Sequence, residues 1–521
     1  MRRVLGVLVV AVAWGVLTAA GATAAVSPLS RASGPTTFAR GCNGAPQNPM
    51  GTVDLNAEVE PYVAASPTKR GALIGVWQQD RWSNGGSNGL LTGVSTDSGR
   101  SWTRPVPPPF SRCAGGTAAN GGNYERASDP WVTFAPNGSA YQIALALNDP
   151  QGTLTTSPIT GVLISKSTNG GRAWGKVRTL IRDTSAQFSN DKESITADPT
   201  NSNRVFAIWD RLDFGANSGP TYYSRSTNGG ATRSAARAIY DPGPGSQTIG
   251  NQIVVLPNGT LVNVFDLVLQ GTTNVAVQRS TDHGLTWSPP TVIDQLLSVP
   301  VVDPRDGALV RTGDIVPEVA VDPRPGTHNL YVVWQDGRFT GFSSDQIAFS
   351  KSSDGGLTWT SATQVSENPD TQAFTPQVHV DGGGNIAITY YDFTFDTTAS
   401  PTLDTDYWIA RSDDGGDAFH PRERLTPSSF DMRTAPFSTG RGFFVGDYEG
   451  LRSIGAAFDP FFVQANNGNV ANRTDVFSAL VTAPFPLSST RHALPPARGS
   501  LPTSHATPGR LPGGPKLVSI P

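Results

Sequence analysis

The sequence predicts an all-β protein: a β-propeller of four-stranded antiparallel blades, seven of them, with six as the alternative. Three observations carry this. An eight-residue phrase recurs six times, as STDSGRSW (95–102), STNGGRAW (167–174), STNGGATR (226–233), STDHGLTW (280–287), SSDGGLTW (352–359) and SDDGGDAF (412–419). Its third-position Asp or Asn returns after 72, 59, 54, 72 and 60 residues, the length of a four-stranded blade with variable loops. Short β-branched and aromatic runs bounded by Gly, Pro and Asn flank every copy, and no amphipathic helix competes with them.

The elements follow in order. Residues 1–24 read as a secretory signal peptide: Arg2 and Arg3, an apolar run, then Ala22-Thr23-Ala24 as the cleavage site. An uncleaved anchor is the alternative reading. No later stretch reaches the roughly 18–20 apolar residues of a membrane-spanning helix, so a secreted, soluble protein without a membrane span is expected. Residues 25–55 form an N-terminal segment, in which PTTFAR (36–41) is placed to supply a closing outer strand. Residues 56–483 hold the propeller. The tail, 484–521, is dense in proline and serine, carries Arg491, Arg498, Arg510 and Lys516 without an acid, and reads as disordered.

Removing Arg2 and Arg3 with the signal reduces the 39 basic residues to 37, against 42 acidic ones. That balance excludes the concentrated basic face a nucleic-acid partner would need. The only cysteines are Cys42 and Cys113. In an exported chain they suggest one disulfide, worth roughly 4 kcal/mol for so long a loop; two free thiols are the alternative.

Within each unit a first strand ends in a turn: EPYVAASP (60–67), DPWVTFAP (129–136), ESITADP (193–199), NQIVVLPNG (251–259), PEVAVDP (317–323) and PQVHVDGGG (376–384). A second strand follows, and a third runs straight into the repeated phrase. The phrase is then a hairpin between third and fourth strands. Asp97 accepts turn N–H bonds, Gly99 supplies a backbone angle that a Cβ penalises, and Trp102 packs between blades. Asn in place of Asp at 169 and 228 keeps the acceptor and loses the charge, as a turn-builder tolerates and a catalytic acid does not. A seventh unit without the phrase runs through FFVGDYEGL (443–451), IGAAFDPFFV (454–463) and DVFSALV (475–481).

The phrase S-x-D-x-G-x-x-W resembles the Asp box of the sialidase-like (BNR-repeat) β-propellers. The resemblance spans residues 95–419 and implies fold more than function, because the box also occurs in propellers that are not sialidases. Strand direction puts the boxes on the face of the tight first-to-second turns. The opposite face carries the long second-to-third loops and the links between blades, where binding and catalysis usually sit. Its rim collects acids and arginines: Asp80/Arg81, Asn148/Asp149, Asp210/Arg211, Asp266, Asp336/Arg338 and Asp392 leaving second strands, and Glu60, Asp129, Asp191/Glu193, Glu318 and Asp447/Tyr448 opening first strands. Taken singly, each reads equally as a solvated or paired charge.

No His/Cys cluster suggests zinc and no Ser-His-Asp set is apparent, which leaves carboxylate, tyrosine and arginine chemistry, suited to glycosidic bonds. No cofactor is expected. The loop bearing Asp392, Asp396, Asp404 and Asp406 is a Ca²⁺ candidate, an ordinary hydrophilic loop being the alternative. The sialidase resemblance implies Tyr448 as nucleophile, Glu193 as its base, Asp129 as general acid, and Arg81, Arg211 and Arg338 as an anion clamp, with Asp210, Asp336, Asp392 and Asp447 lining the substrate site. The family's Arg-Ile-Pro motif is missing; the comparable strand reads EPYVAA. Two functions stay open: a sialidase-like exo-glycosidase acting on terminal, acidic or otherwise decorated sugars, and a non-catalytic propeller that binds glycan or protein on the same face. A polysaccharide lyase is a third. The expected partner is a glycan or glycoconjugate, and the expected state a monomer.

Overall fold

The computed structural model describes residues 26–44, 51–148, 159–482 and the backbone of 492–493. The segment 1–24 read as a signal peptide and nearly all of the C-terminal tail lie outside the described residues, as does most of the loop 148–160. Every regular element is a strand apart from two short 3₁₀ turns, and the fold is an all-β propeller. Among the described residues no helix is long and apolar enough to cross a membrane.

Strand pairing groups the chain into antiparallel units. The first strands are Val53–Ala65, Arg126–Phe134, Phe188–Ala197, Ser246–Val255, Glu318–Val321, Ala373–Val380 and Gly450–Ile454. Each packs against the next around a ring, and the last packs against the first. We number the units 1 to 7 in that order. Second and third strands follow, joined by connections that run from the tight hairpin between Leu73–Trp82 and Ser87–Ser95 in unit 1 to the long loop between Ile386–Asp392 and Asp404–Ser412 in unit 6. Large side chains at one position of the second strands, Trp77, Trp209 and Trp334, are fully buried and fill the blades.

The six repeated phrases build one turn. In each, the hydroxyl of the opening Ser donates to the third-position side chain, at 2.8 to 3.0 Å. That side chain also accepts the backbone N–H four residues on, at 2.9 to 3.1 Å, and Asn169 and Asn228 do so as Asp97 does. Gly99 sits at φ 77°, where a Cβ would also lie 2.4 Å from Ser478 Oγ. Trp102 reaches across to unit 7, its ring 5.1 Å from that of Phe461.

Three placements differ from the sequence reading. The outer strand of unit 7 does come from the N-terminal segment, but from Ser30–Arg31, which pairs with Ser478 and Phe477, and not from 36–41. Thr36 is occupied elsewhere: its N–H donates to Asn56 and its hydroxyl to Asp80. The first strand of unit 7 is Gly450–Ile454, not 443–451. Residues Gly442–Phe444 instead join Phe437–Ser438, Leu309–Arg311 and Val301–Val302 in a separate four-stranded sheet. Built from the links between units 4 and 5 and between 6 and 7, this sheet caps the long-loop end of the axis.

First strands also begin earlier than the sequence suggests. In units 1, 2, 3, 4 and 6 the pairing shifts register, and one residue there takes a positive φ: Glu60 (51°), Asp129 (49°), Lys192 (47°), Gly250 (69°) and Thr375 (48°). A bulge breaks the two-residue alternation, so the part of the strand before it does not read as one.

Cys42 and Cys113 are disulfide-bonded, 71 residues apart. The bond ties the N-terminal segment to the link between units 1 and 2. Replacing both cysteines by serine is expected to lower the unfolding free energy by about 4 kcal/mol. Denaturant unfolding of the variant, compared with the oxidised parent, checks this.

Candidate functional site: an axial charge cluster under the cap

The bulges position the site. They sit at one level of the ring and turn the side chains of Glu60, Asp129 and Lys192 toward each other. Each non-glycine residue at positive φ costs on the order of 1–3 kcal/mol, strain of the kind that collects at functional sites. Lys192 is the hub. Its ammonium lies 2.8 Å from Asp447 Oδ2, 3.1 Å from Glu60 Oε1 and 3.4 Å from Asp129 Oδ1. Asp447 also accepts two hydrogen bonds from Arg311, Nη2 to Oδ2 at 2.6 Å and Nε to Oδ1 at 3.1 Å. Gln78 donates to Glu60 and to Ser128 Oγ, and accepts from Arg81 Nη1 at 2.8 Å. Arg81 and Arg311 both lie against the Phe444 ring of the cap, at 4.9 and 4.0 Å. All these charged groups are buried.

Close packing holds the cap in place. Glu60 N–H donates to Val445 O at 3.1 Å. Gly313 lets the two capping links pass, since a Cβ there would stand 1.7 Å from Asp447 O. The cluster's more open edge is Asp314 and Arg441, both half-buried.

Protonation within the cluster is divided. Burial raises the Glu60 carboxyl to about 8, Lys192 only partly offsetting it, with Asp129 and Asp447 pushing the same way. Asp129 is likewise raised by burial against the pull of Lys192, and a hydrogen bond with Glu60 offsets part of the rise. Asp447 runs opposite: burial would raise it, but Arg311, then Lys192 and Arg441, outweigh burial and hold it far below the usual range. Burial lowers Arg81 to about 10, and neighbouring Arg311 adds to this. One cluster therefore holds a carboxyl held far below the usual range, Asp447, beside two that are raised, Glu60 to about 8 and Asp129.

The residues singled out from the sequence divide accordingly. Asp129, Asp447 and Arg81 lie in the cluster. Tyr448 lies just below it, its hydroxyl donating to Pro130 O at 3.1 Å and its ring beside Trp131, with Lys192 Nζ 5.5 Å from the ring centroid. Burial and then Glu60, Asp129, Glu193 and Asp447 push the phenol well above its ordinary value. Glu193 is buried with both carboxyl oxygens unpartnered, and burial followed by Asp129 keeps it protonated. No hydrogen bond joins it to Tyr448.

The remaining residues tie blades together or brace their own. Arg211 makes a two-pronged pair with Asp183, at 2.6 and 2.9 Å. Arg338 pairs with Asp336 and Asp294, at 2.8 and 3.0 Å. Arg81, Arg211 and Arg338 therefore do not converge as a clamp. Asp210 accepts the N–H of Gly250 and so fixes the bulge of unit 4. Asp336 and Asp392 accept the indole N–H of Trp334 and Trp408. In the acidic loop, Asp392 is taken by Arg422, Asp406 by Arg424 and Asp396 by Arg305. Among the described residues no group of three metal-ligating side chains is arranged to hold an ion.

The sequence reading missed Lys192, Arg311 and Arg441. Lys192 was findable: aligned on Pro61 and Pro130, it occupies the position of Glu60 and Asp129. Arg311 and Arg441 come from the capping links, which repeat nothing.

Two cavities flank the site. On the long-loop face a groove of about 360 Å³ is lined by Asp54, Ser83, Phe437, Thr439 and Arg473 among others, on the hairpin that also carries Arg441. On the opposite face a larger cavity of about 710 Å³ runs into the axis.

Fold and site define a β-propeller with a buried, strained acid–base cluster at one end of its axis. No family model and no curated protein sequence matches the chain. Similar solved structures include a Hadza microbial sialidase (16% identity over 70% of this chain and 66% of that one, TM-score 0.43). An α-L-arabinanase of Penicillium chrysogenum complexed with arabinobiose is 10% identical over 87% and 98%, with a TM-score of 0.44. A Trypanosoma rangeli sialidase in complex with sialic acid is 13% identical over 68% and 54%, with a TM-score of 0.37. None of their site residues is carried over to this chain.

Proposed function

We propose that the protein is an exported glycoside hydrolase that removes terminal sugars at the long-loop end of its axis. One observation carries the reading: three buried carboxyls converge on Lys192, and Arg311 on one side holds Asp447 low while burial raises Glu60 and Asp129. Glycosidic cleavage needs two carboxyl groups in opposite protonation states, one to protonate the leaving oxygen and one to stabilise the positive charge that develops on the ring. Glu60 and Asp129, sharing Lys192, take the first role. Asp447, fixed by Lys192 and Arg311, takes the second. Substrate approaches past Asp314 and Arg441, and the half-buried guanidinium of Arg441 favours an acidic sugar. Tyr448, bonded to a backbone carbonyl, is given no nucleophilic role.

The test is a panel of fluorogenic glycosides that includes a sialoside and an arabinofuranoside, run on the parent, Glu60→Gln and Asp447→Asn. Each variant is expected to lose at least about 100-fold in kcat/KM while remaining folded by circular dichroism. The second reading, a propeller that binds glycans without cleaving them, is favoured by the cap's close packing over the cluster and by the internal pairing of Arg211 and Arg338. Uniform inactivity with retained binding to a glycan array would establish it in place of the first.

A further inference from the structure

The cavity at the other end of the axis is built differently. It opens on the face of the repeated turns, through a rim that includes the exposed Pro67, Pro199 and Pro323. Its walls are apolar, with Ile195, Ile253, Val319 and Val380 among them. Tyr62 and Trp131, stacked at 3.6 Å, close its inner end. Its volume, about 710 Å³, falls within the range of small-molecule sites.

Within these apolar walls stands one guanidinium, that of Arg452. It donates to Tyr62 Oη at 2.5 Å, to Leu451 O at 3.2 Å and to His379 Nδ1 at 3.4 Å. The last bond leaves the proton of His379 on Nε2, facing Ser453 Oγ at 3.1 Å. None of these partners bears negative charge. His379 is held neutral by burial and then by Arg452 itself. Glu318, behind the inner end, keeps its proton at neutral pH: burial lifts it to about 8, against hydrogen bonds from Gln252 and Gln377 and the pull of Arg452. The cation is thus held in place by neutral groups, with no anion to balance it.

We propose that this channel is a binding site for a small organic anion with an apolar body, its carboxylate on Arg452 and its hydrocarbon part along the Ile195, Ile253 and Val319 walls. Arg452 is pre-set by Tyr62 and His379, so little side-chain freedom is lost on binding. The site is independent of the axial cluster and of the glycosidase reading.

Octanoate is the probe, with 1-octanol as its uncharged counterpart, each titrated calorimetrically into the full-length exported chain. Octanoate is expected to bind one-to-one and octanol at least about tenfold more weakly, the margin of a charge-assisted hydrogen-bonded pair. Arg452→Met is expected to lose the same factor, and Arg452→Lys to keep most of the affinity. Ala320→Phe, on the channel wall, is expected to abolish binding of both. If Arg452→Met fails to fold, the octanoate–octanol contrast in the parent together with Ala320→Phe decides the matter. Absence of saturable octanoate binding to the folded parent overturns the proposal. So does equal binding of octanol, which would make the channel a plain apolar pocket, or unchanged affinity in a folded Arg452→Met.

Discussion

Replacing Lys192 by Met is expected to destabilise the protein by at least about 3 kcal/mol, the usual penalty for removing one partner from a buried ion cluster. The ammonium is 3% exposed and faces three carboxyl groups that are 1% exposed. Methionine fills similar volume, so the loss is electrostatic. Asp447 retains Arg311, but Glu60 and Asp129 lose their nearest cation and keep the neutral donors Gln78 and Ser128, with Arg81 as the remaining positive neighbour. Two further outcomes separate this from a packing defect. The deficit is larger at pH 8 than at pH 5, because Glu60, raised to about 8 even beside Lys192, ionises only toward the higher pH. Adding Glu60→Gln recovers part of the loss at pH 8, because the carboxyl that ionises there beside Asp447 is gone. Urea unfolding of the three proteins at pH 5 and pH 8 measures both. A loss below about 1 kcal/mol with no pH dependence would mean that the cluster is solvated and that the protonation pattern behind the proposed chemistry does not hold.

The second large effect is the pH dependence of the whole fold. Burial raises Glu60, Glu318 and Asp459 to about 8 and Asp314 to about 6. A carboxyl whose folded value lies above its unfolded one contributes stability that is full below about pH 4 and is lost as pH rises through the folded value. Asp447, and the turn-building Asp354 at about 2, have the opposite sign. In Asp354 burial is outweighed by hydrogen bonds from Thr358 and Ser352. Their contribution is full above about pH 4 and is lost as pH falls below it. Stability therefore peaks at about pH 4, and the melting temperature falls by more than about 5 °C between pH 5 and pH 8.5. Calorimetry across that range checks the slope, and Glu318→Gln is expected to flatten it. A melting temperature that rises toward pH 8 would contradict the reading.

Much of the fold was legible because it is repetitive. The Ser, the Asp or Asn, and the Gly of each turn are local hydrogen-bonding requirements, so the sequence must restate them in every unit. The bulges were not legible, since a break in alternation resembles the end of a strand. That is why Val53–Val59 and Ser246–Ile249 escaped the reading although they belong to first strands. The site was half legible for a related reason. Asp129 and Asp447 belong to the repeated frame and could be placed on the axis, whereas Arg311 and Arg441 come from links that have no counterpart to compare with. Arg211 and Arg338 misled because the frame fixes where a residue starts, not which way a long side chain turns. Arg211 turned to Asp183 on the outer strand of unit 2, and Arg338 to Asp336 of its own unit and Asp294 on the outer strand of unit 4.

The pairing of Ser30–Arg31 with Phe477 and Ser478 also has a consequence for how the molecule is made. The two halves of that contact are separated by almost the whole chain, so loop closure is costly and the step is slow. Until the last strand has been synthesised, unit 7 has no outer strand to pair and the ring stays an open arc with a bare edge at each end. The beginning of the chain therefore cannot lock down before its end arrives.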